Sequence, residues 1–148
     1  MRDARAFLKR ARDINRELKR YRSLLAEATA RKFLFGSVNL GERVQTSPEP
    51  DRMGQAEAVI GEYVEELNKR IAELSAAQLE IERAIRGLDD ATSRAVLSYR
   101  YIACLDWDSV CREMGKEKDG EWVPKDKRYI FRLHQKAIND FQKILVDH

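Results

Sequence analysis

The chain has 148 residues, room for one ordinary domain or for a small domain with a helical appendage, which excludes a large multi-domain enzyme. Charged residues make up 36% against 8% aromatic, with only 7 Gly and 3 Pro, a balance of long polar-faced helices rather than sandwiches or barrels. The formal net charge is only +3, so any affinity for nucleic acid has to come from local clustering of basic side chains.

The chain starts Met1-Arg2-Asp3-Ala4-Arg5 and leads into no apolar core of signal-peptide length. No run approaches the roughly 18 apolar residues of a membrane span. Cys104 and Cys111 lie in helical sequence with neither a second pair nor a His-x-x-x-His, which argues against a zinc site and against a disulfide scaffold. These features predict a soluble cytoplasmic protein of a reducing compartment, with no membrane partner and no cofactor.

Between Phe7 and Ala28 the apolar residues Phe7, Ala11, Ile14, Leu18, Tyr21, Leu25 and Ala28 alternate in a heptad pattern. A second series runs Ile60, Val64, Leu67, Ile71, Leu74, Gln78, Ile81, Ile85 and Leu88, with Gln78 as its polar seam position. The stretch between them, with a loop expected over about residues 36–54, holds Ser47-Pro48-Glu49-Pro50 and lets the chain reverse. An antiparallel coiled-coil helical hairpin over residues 1–90 is the expected arrangement.

Charge fits that pairing. Residues 1–32 carry 11 basic against 4 acidic side chains, and residues 55–90 carry 4 against 9. The plain reading is that these charges set the register of a solvated coiled coil. A sharper alternative makes Arg2, Arg5, Arg10, Arg12, Arg16 and Arg20 a nucleic-acid face.

After Gly87-Leu88-Asp89-Asp90 the period changes and aromatic residues appear, which predicts a compact module over residues 91–148. Ala91–Cys104 reads as one helix. A short helix capped by Asp106 follows, with Trp107, Val110, Cys111 and Met114 turned inward and Gly115 closing it in a left-handed conformation. The last helix starts at Asp126 and buries Ile130, Leu133, Ala137, Ile138, Phe141 and Leu145. This is a helix-turn-helix order. Lys127, Arg128, Phe131, Arg132, Gln135 and Lys136 fall off the apolar stripe of the last helix. Arginine can bridge guanine O6 and N7, Gln the adenine edge, and an exposed Phe a thymine methyl.

The segments LSYRYIACLDWDSVCREMG (97–115) and DKRYIFRLHQKAINDFQKIL (126–145) resemble the C-terminal module of phage and prophage regulators of the ArpU and RinA type, itself similar to region 4 of sigma-70 factors. The residues that carry the resemblance are Leu97, Arg100-Tyr101-Ile102, Trp107, Val110, Met114-Gly115, Ile130-Phe131-Arg132-Leu133-His134 and Ala137-Ile138; the N-terminal hairpin with Asp51-Arg52-Met53 resembles the same group. The resemblance implies sequence-specific binding of double-stranded DNA near a promoter, contact with bacterial RNA polymerase, and recognition contacts on Lys127, Arg128, Phe131 and Arg132.

One departure from that pattern is the insertion KEKDGEWVPK between Gly115 and Asp126. One reading is a surface loop with Trp122 packed back on the helices. The other is a small β-wing turned at Asp119-Gly120, from which Lys116, Lys118 and Lys125 reach phosphates. Trp107, Tyr99 and Tyr101 match apolar stripes and read as core aromatics; His134 reads as a packing residue. With no paired base for Ser109 or Cys111 and no Gly-rich phosphate loop, an enzyme is not expected. Two other classes fit the same pattern: a small terminase-like packaging subunit that forms homo-oligomers through the coiled coil, and a sigma-like protein-interaction module without DNA contacts.

Overall fold

The computed structural model describes residues 3–41 and 50–147, and the fold is all-α with a helical hairpin and one small two-stranded sheet. Helix α1 spans Ala4–Gly41 and α2 spans Pro50–Arg86. Both helices extend into the loop expected over 36–54: residues 36–41 continue α1 and residues 50–54 begin α2. Proline at a helix start costs nothing there, since its missing N–H belongs to the first turn. Residues 42–49, with Ser47-Pro48-Glu49, lie outside the described residues, as do Arg2 and His148.

By packing, the chain forms two units: residues 1–16 with 76–148, and residues 17–75. The expected boundary at residue 90 falls inside the first of these. In the second unit α1 and α2 run antiparallel, with Leu18 and Ala28 of one helix and Leu67 and Leu74 of the other buried. The heptad positions Tyr21, Leu25, Ile60, Val64 and Ile71 are half-buried. Glu17 and Arg70 pair at 3.5 Å across the two helices, the reverse of the expected polarity of a basic α1 against an acidic α2.

In the first unit the start of α1 packs among several helices. Ala4, Leu8, Ala11 and Ile14 are buried, as are Ile81, Ile85 and Leu88. The expected seam residue Phe7 is only half-buried, its ring tilted against that of Phe141 at 5.7 Å, while Leu8 takes the deeper position. A helix that meets more than one neighbour buries a wider arc than a two-helix seam requires.

Helix α3 spans Ala91–Leu97, capped by Asp90, whose carboxylate accepts from the Thr92 N–H at 3.3 Å and the Ser93 hydroxyl at 2.9 Å. The single helix expected over Ala91–Cys104 ends early. A π-helical turn, Ser98–Ile102, follows, and Cys104 turns the chain with φ of 58°. Widening the turn frees carbonyl groups from the regular ladder. Asn15 of α1 supplies the missing donor, giving its Nδ2 hydrogens to the Tyr101 and Ile102 carbonyls at 3.1 and 3.0 Å. Gln78, the polar seam residue, in turn donates to Asn15 Oδ1.

Helix α4 spans Trp107–Glu113, and its cap is the expected one: Asp106 accepts from the Ser109 N–H at 2.8 Å. Gly115 does not take the left-handed conformation; Met114 closes the helix. The glycine is required for a different reason, since a Cβ there would lie 2.3 Å from the Val123 carbonyl oxygen and 2.9 Å from Trp122 Nε1.

Between α4 and the last helix the insertion folds as an antiparallel hairpin, β1 (Lys116–Lys118) with β2 (Glu121–Val123), paired Lys116 to Val123 and Lys118 to Glu121. Asp119 and Gly120 both have positive φ, 53° and 81°, as a tight two-residue turn demands. Helix α5 runs Lys127–Asp147 and buries Ile130, His134, Ala137, Ile138 and Phe141, leaving Leu133 and Leu145 half-buried.

Candidate nucleic-acid interface

Helix α5 carries a continuous inner stripe, so its remaining side chains are turned outward by the helical period alone. Arg128, Phe131, Arg132 and Gln135 succeed one another at three- and four-residue spacing and are exposed, as are Lys127 and Lys136. Asp126 stands just before the helix and accepts from the Arg128 N–H at 3.4 Å. The helix start is tied to α4 by the Lys125 N–H, which donates to the Cys111 carbonyl at 3.0 Å.

The basic residues on this face have different partners. Lys127 Nζ lies 3.1 Å from Asp108 and Lys136 Nζ 3.7 Å from Asp90. Both are exposed pairs, which hold their lysines loosely. The Lys125 ammonium sits 5.6 Å from the centre of the Tyr129 ring, and Lys125 itself is half-buried. Gln135 is held on both sides, accepting from Arg5 of α1 at 2.5 Å and donating to Asn139 at 3.1 Å. Among the described residues Arg128 and Arg132 form no ion pair, so their guanidinium groups are the ones left open to an external acceptor.

Phe131 is 44% exposed, with its ring edge-on to Trp107 at 5.0 Å. Trp107 also meets His134 edge-on at 4.8 Å and lies beneath the Arg100 guanidinium at 4.4 Å, so it is a packing residue as its stripe predicted. That packing fixes the Phe131 rotamer while leaving part of the ring outside.

His134 is buried as expected, and Tyr101 Oη lies 2.7 Å from its Nε2. Burial, with smaller contributions from Arg5 and Arg100, pushes the imidazole down to about 4, so it is neutral at pH 7. Burial likewise raises the Tyr101 phenol, which keeps its proton. The same cause raises the Cys111 thiol, and both cysteines are free.

Lys116 and Lys118 are exposed on β1. The insertion is a β-hairpin and not the surface loop of the first reading, and Trp122, 58% exposed, is not packed back on the helices but donates its indole N–H to the Arg112 carbonyl at 2.6 Å. That bond ties the hairpin to the end of α4 and satisfies a terminal carbonyl there.

The sequence named Arg100, Arg5 and Gln135 but not the stacking of Arg100 over Trp107 or the bond from Arg5 to Gln135. No local pattern marks the second of these, because its partners come from distant parts of the chain. Among the described residues no three His, Cys, Asp or Glu side chains gather as metal ligands, and no helix is long and apolar enough to cross a membrane.

Residues 58–127 match the family described as a protein of unknown function (DUF1492), a group of phage-associated proteins. The match covers most of α2, then α3, α4 and the β-hairpin, and stops at Lys127, the first residue of α5. No curated protein and no solved structure matches the chain.

Proposed function

We propose that the chain is a sequence-specific DNA-binding regulator that presents the outer face of α5 to the major groove. The observation that carries this reading is the pair Arg128 and Arg132, four residues apart and unpaired among the described residues, beside the half-exposed ring of Phe131. A face with open guanidinium forks and an apolar edge matches the acceptor pattern of guanine and the methyl group of thymine. Lys116, Lys118, Lys125, Lys127 and Lys136 surround it as phosphate contacts, the exposed lysine pairs being weak enough to exchange partners. The mechanism is binding, not catalysis.

The resemblance to ArpU- and RinA-type regulators and to sigma-70 region 4 adds the finer reading: control of phage or prophage genes in the bacterial cytoplasm, with RNA polymerase as a further partner. Similarity to a phage-associated family is in keeping with it.

Selection of bound sequences from a random duplex pool at near-physiological salt tests the proposal. The expected outcome is an enriched motif, and Arg128→Ala and Arg132→Ala each weaken binding to it by about 1–3 kcal/mol while relaxing one or two base positions. Equal losses on selected and random duplexes would make them phosphate contacts. A pool that enriches nothing overturns sequence recognition and turns attention to packaging or protein-interaction roles.

A further inference from the structure

In the unit of residues 17–75 the seam between α1 and α2 is flanked by a second stripe on each helix. On α1 the alternation of three and four runs through Glu17, Arg20, Leu24, Glu27, Arg31 and Leu34. On α2 it runs through Val59, Tyr63, Glu66, Arg70 and Glu73. The Glu17–Arg70 pair at 3.5 Å puts both stripes on the same side of the hairpin. So does a groove of about 220 Å³ between the helices, lined by Leu24, Ala28 and Arg31 from α1 and by Ile60 and Tyr63 from α2. The apolar members of the two stripes are poorly covered: Leu24 is half-buried, Tyr63 is 41% exposed, and Leu34 and Val59 are 61% and 64% exposed. A two-helix hairpin covers one seam and leaves such a flank to an outside partner.

Charge identifies that partner. Over residues 17–34 α1 carries 5 basic against 2 acidic side chains, and over residues 55–75 α2 carries 2 against 5. A face that is basic along one helix and acidic along the other is complementary to a second copy of itself. A two-fold axis running along the hairpin sets each α1 antiparallel to the other copy's α2, so that unlike charges are opposed and the apolar edges meet. Pairing α1 with α1 would oppose like charges. The heights agree too. Arg20 lies between Glu17 and Leu24, and Glu66 between Arg70 and Tyr63, so in the antiparallel hairpin the two stand at the same level. Rotation about an axis along the hairpin keeps that level and brings Arg20 of each copy to Glu66 of the other. Both side chains are exposed, and among the described residues neither forms an ion pair. We propose that this side of the hairpin is a docking surface for a second copy of the chain, giving a two-fold four-helix bundle in which Leu24, Leu34, Val59 and Tyr63 are covered and Arg20 pairs with Glu66 of the other copy. This stands apart from the DNA-binding reading, since it uses no residue of α5.

Sedimentation equilibrium of the full chain over a range of concentrations tests the surface. The wild type is expected to pass reversibly from monomer to dimer. Arg20→Glu and Glu66→Arg each place like charges together at both symmetric contacts and should weaken the dimer about tenfold or more. Val59→Lys, at an exposed position that the monomer does not need, should weaken it as well, with helix content by circular dichroism unchanged. The decisive sample is an equal mixture of the Arg20→Glu and Glu66→Arg chains. In a mixed dimer one contact is restored with its charges exchanged and the other keeps a like-charge clash only if the pairing differs from the one proposed, so the mixture should dimerise more tightly than either variant alone. Rescue by mixing also separates the surface from a defect inside one hairpin, which a second chain could not repair. A wild type that stays monomeric overturns the proposal. So does a dimer that none of the three substitutions weakens, or one that mixing fails to restore. None of these outcomes bears on the binding of duplexes by α5, which the sequence selection above tests.

Discussion

Tyr101 and His134 form a contact whose energetics can be read out by pH. The folded imidazole titrates near 4, held there first by burial and then by Arg5 and Arg100, whereas the unfolded chain titrates near 6.5. Between these values the unfolded state binds the extra proton, so stability rises with pH across the window and is flat above it. The expected loss is roughly 2–3 kcal/mol on going from pH 7 to pH 4. Asp90 and Asp106 are both lowered below their ordinary value near 3.8 by their capping hydrogen bonds, so what they contribute is lost only at lower pH. Urea melts of the wild type should therefore slope between pH 4 and 6.5, and those of His134→Gln should be flatter. A slope that persists in the variant would assign it to other groups. His134 was legible as a packing residue from its place on the apolar stripe. Its tyrosine partner was not, because Tyr101 reaches it only through the π-helical turn, and a one-residue change in hydrogen-bond spacing leaves no mark on residue type.

At the scale of elements, the heptads and the caps were the readable part. Leu18, Ala28, Leu67 and Leu74 sit where the alternation puts them, and Asp106 caps α4, because periodicity and capping are local properties. Gln78 is the polar position of its seam, where burial alone would favour an aliphatic residue. Its bond to Asn15, which serves the Tyr101 and Ile102 carbonyls, predicts the opposite. Gln78→Leu is expected to destabilise by about 1–2 kcal/mol through a partner left unsatisfied. Denaturant unfolding decides, and a stabilised variant would show that Asn15 finds another donor. The glycines make a second contrast. Gly115→Ala forces a Cβ against the backbone of Val123 and is expected to cost about 1–3 kcal/mol, whereas Gly61→Ala, in α2 with open space around it, should stabilise by roughly 0.5–1 kcal/mol. The sequence marked Gly115 as important but for its own dihedral angles; the cause is a neighbour brought in by the β-hairpin.

For the whole molecule, packing groups the chain differently from its sequence periods. A change in period near residue 90 suggested a hairpin domain and a separate C-terminal one, yet Ala4, Leu8, Ala11, Ile14, Ile81, Ile85 and Leu88 are buried in the same packing unit as α3, α4 and α5. A heptad pattern reports that a face is covered, not which helix covers it. The face of α5 was legible because it needs only the helical period, while the bond from Arg5 to Gln135 depends on the long-range packing of α1. A fragment of residues 91–148 therefore lacks Leu8, Ile81, Ile85 and Leu88. Truncating one such large aliphatic residue costs about 2–5 kcal/mol, against a whole-domain stability of about 5–15 kcal/mol. That fragment is expected to show no cooperative melting. A chain in which residues 17–75 are replaced by a short Gly/Ser linker keeps every member of the first unit and is expected to melt cooperatively, with Trp107 and His134 packed as in the full protein. Circular dichroism melts and the dispersion of the indole and imidazole NMR signals separate the two cases. Cooperative folding of residues 91–148 alone would restore the boundary at residue 90 and make the N-terminal residues an accessory to that module rather than part of its core.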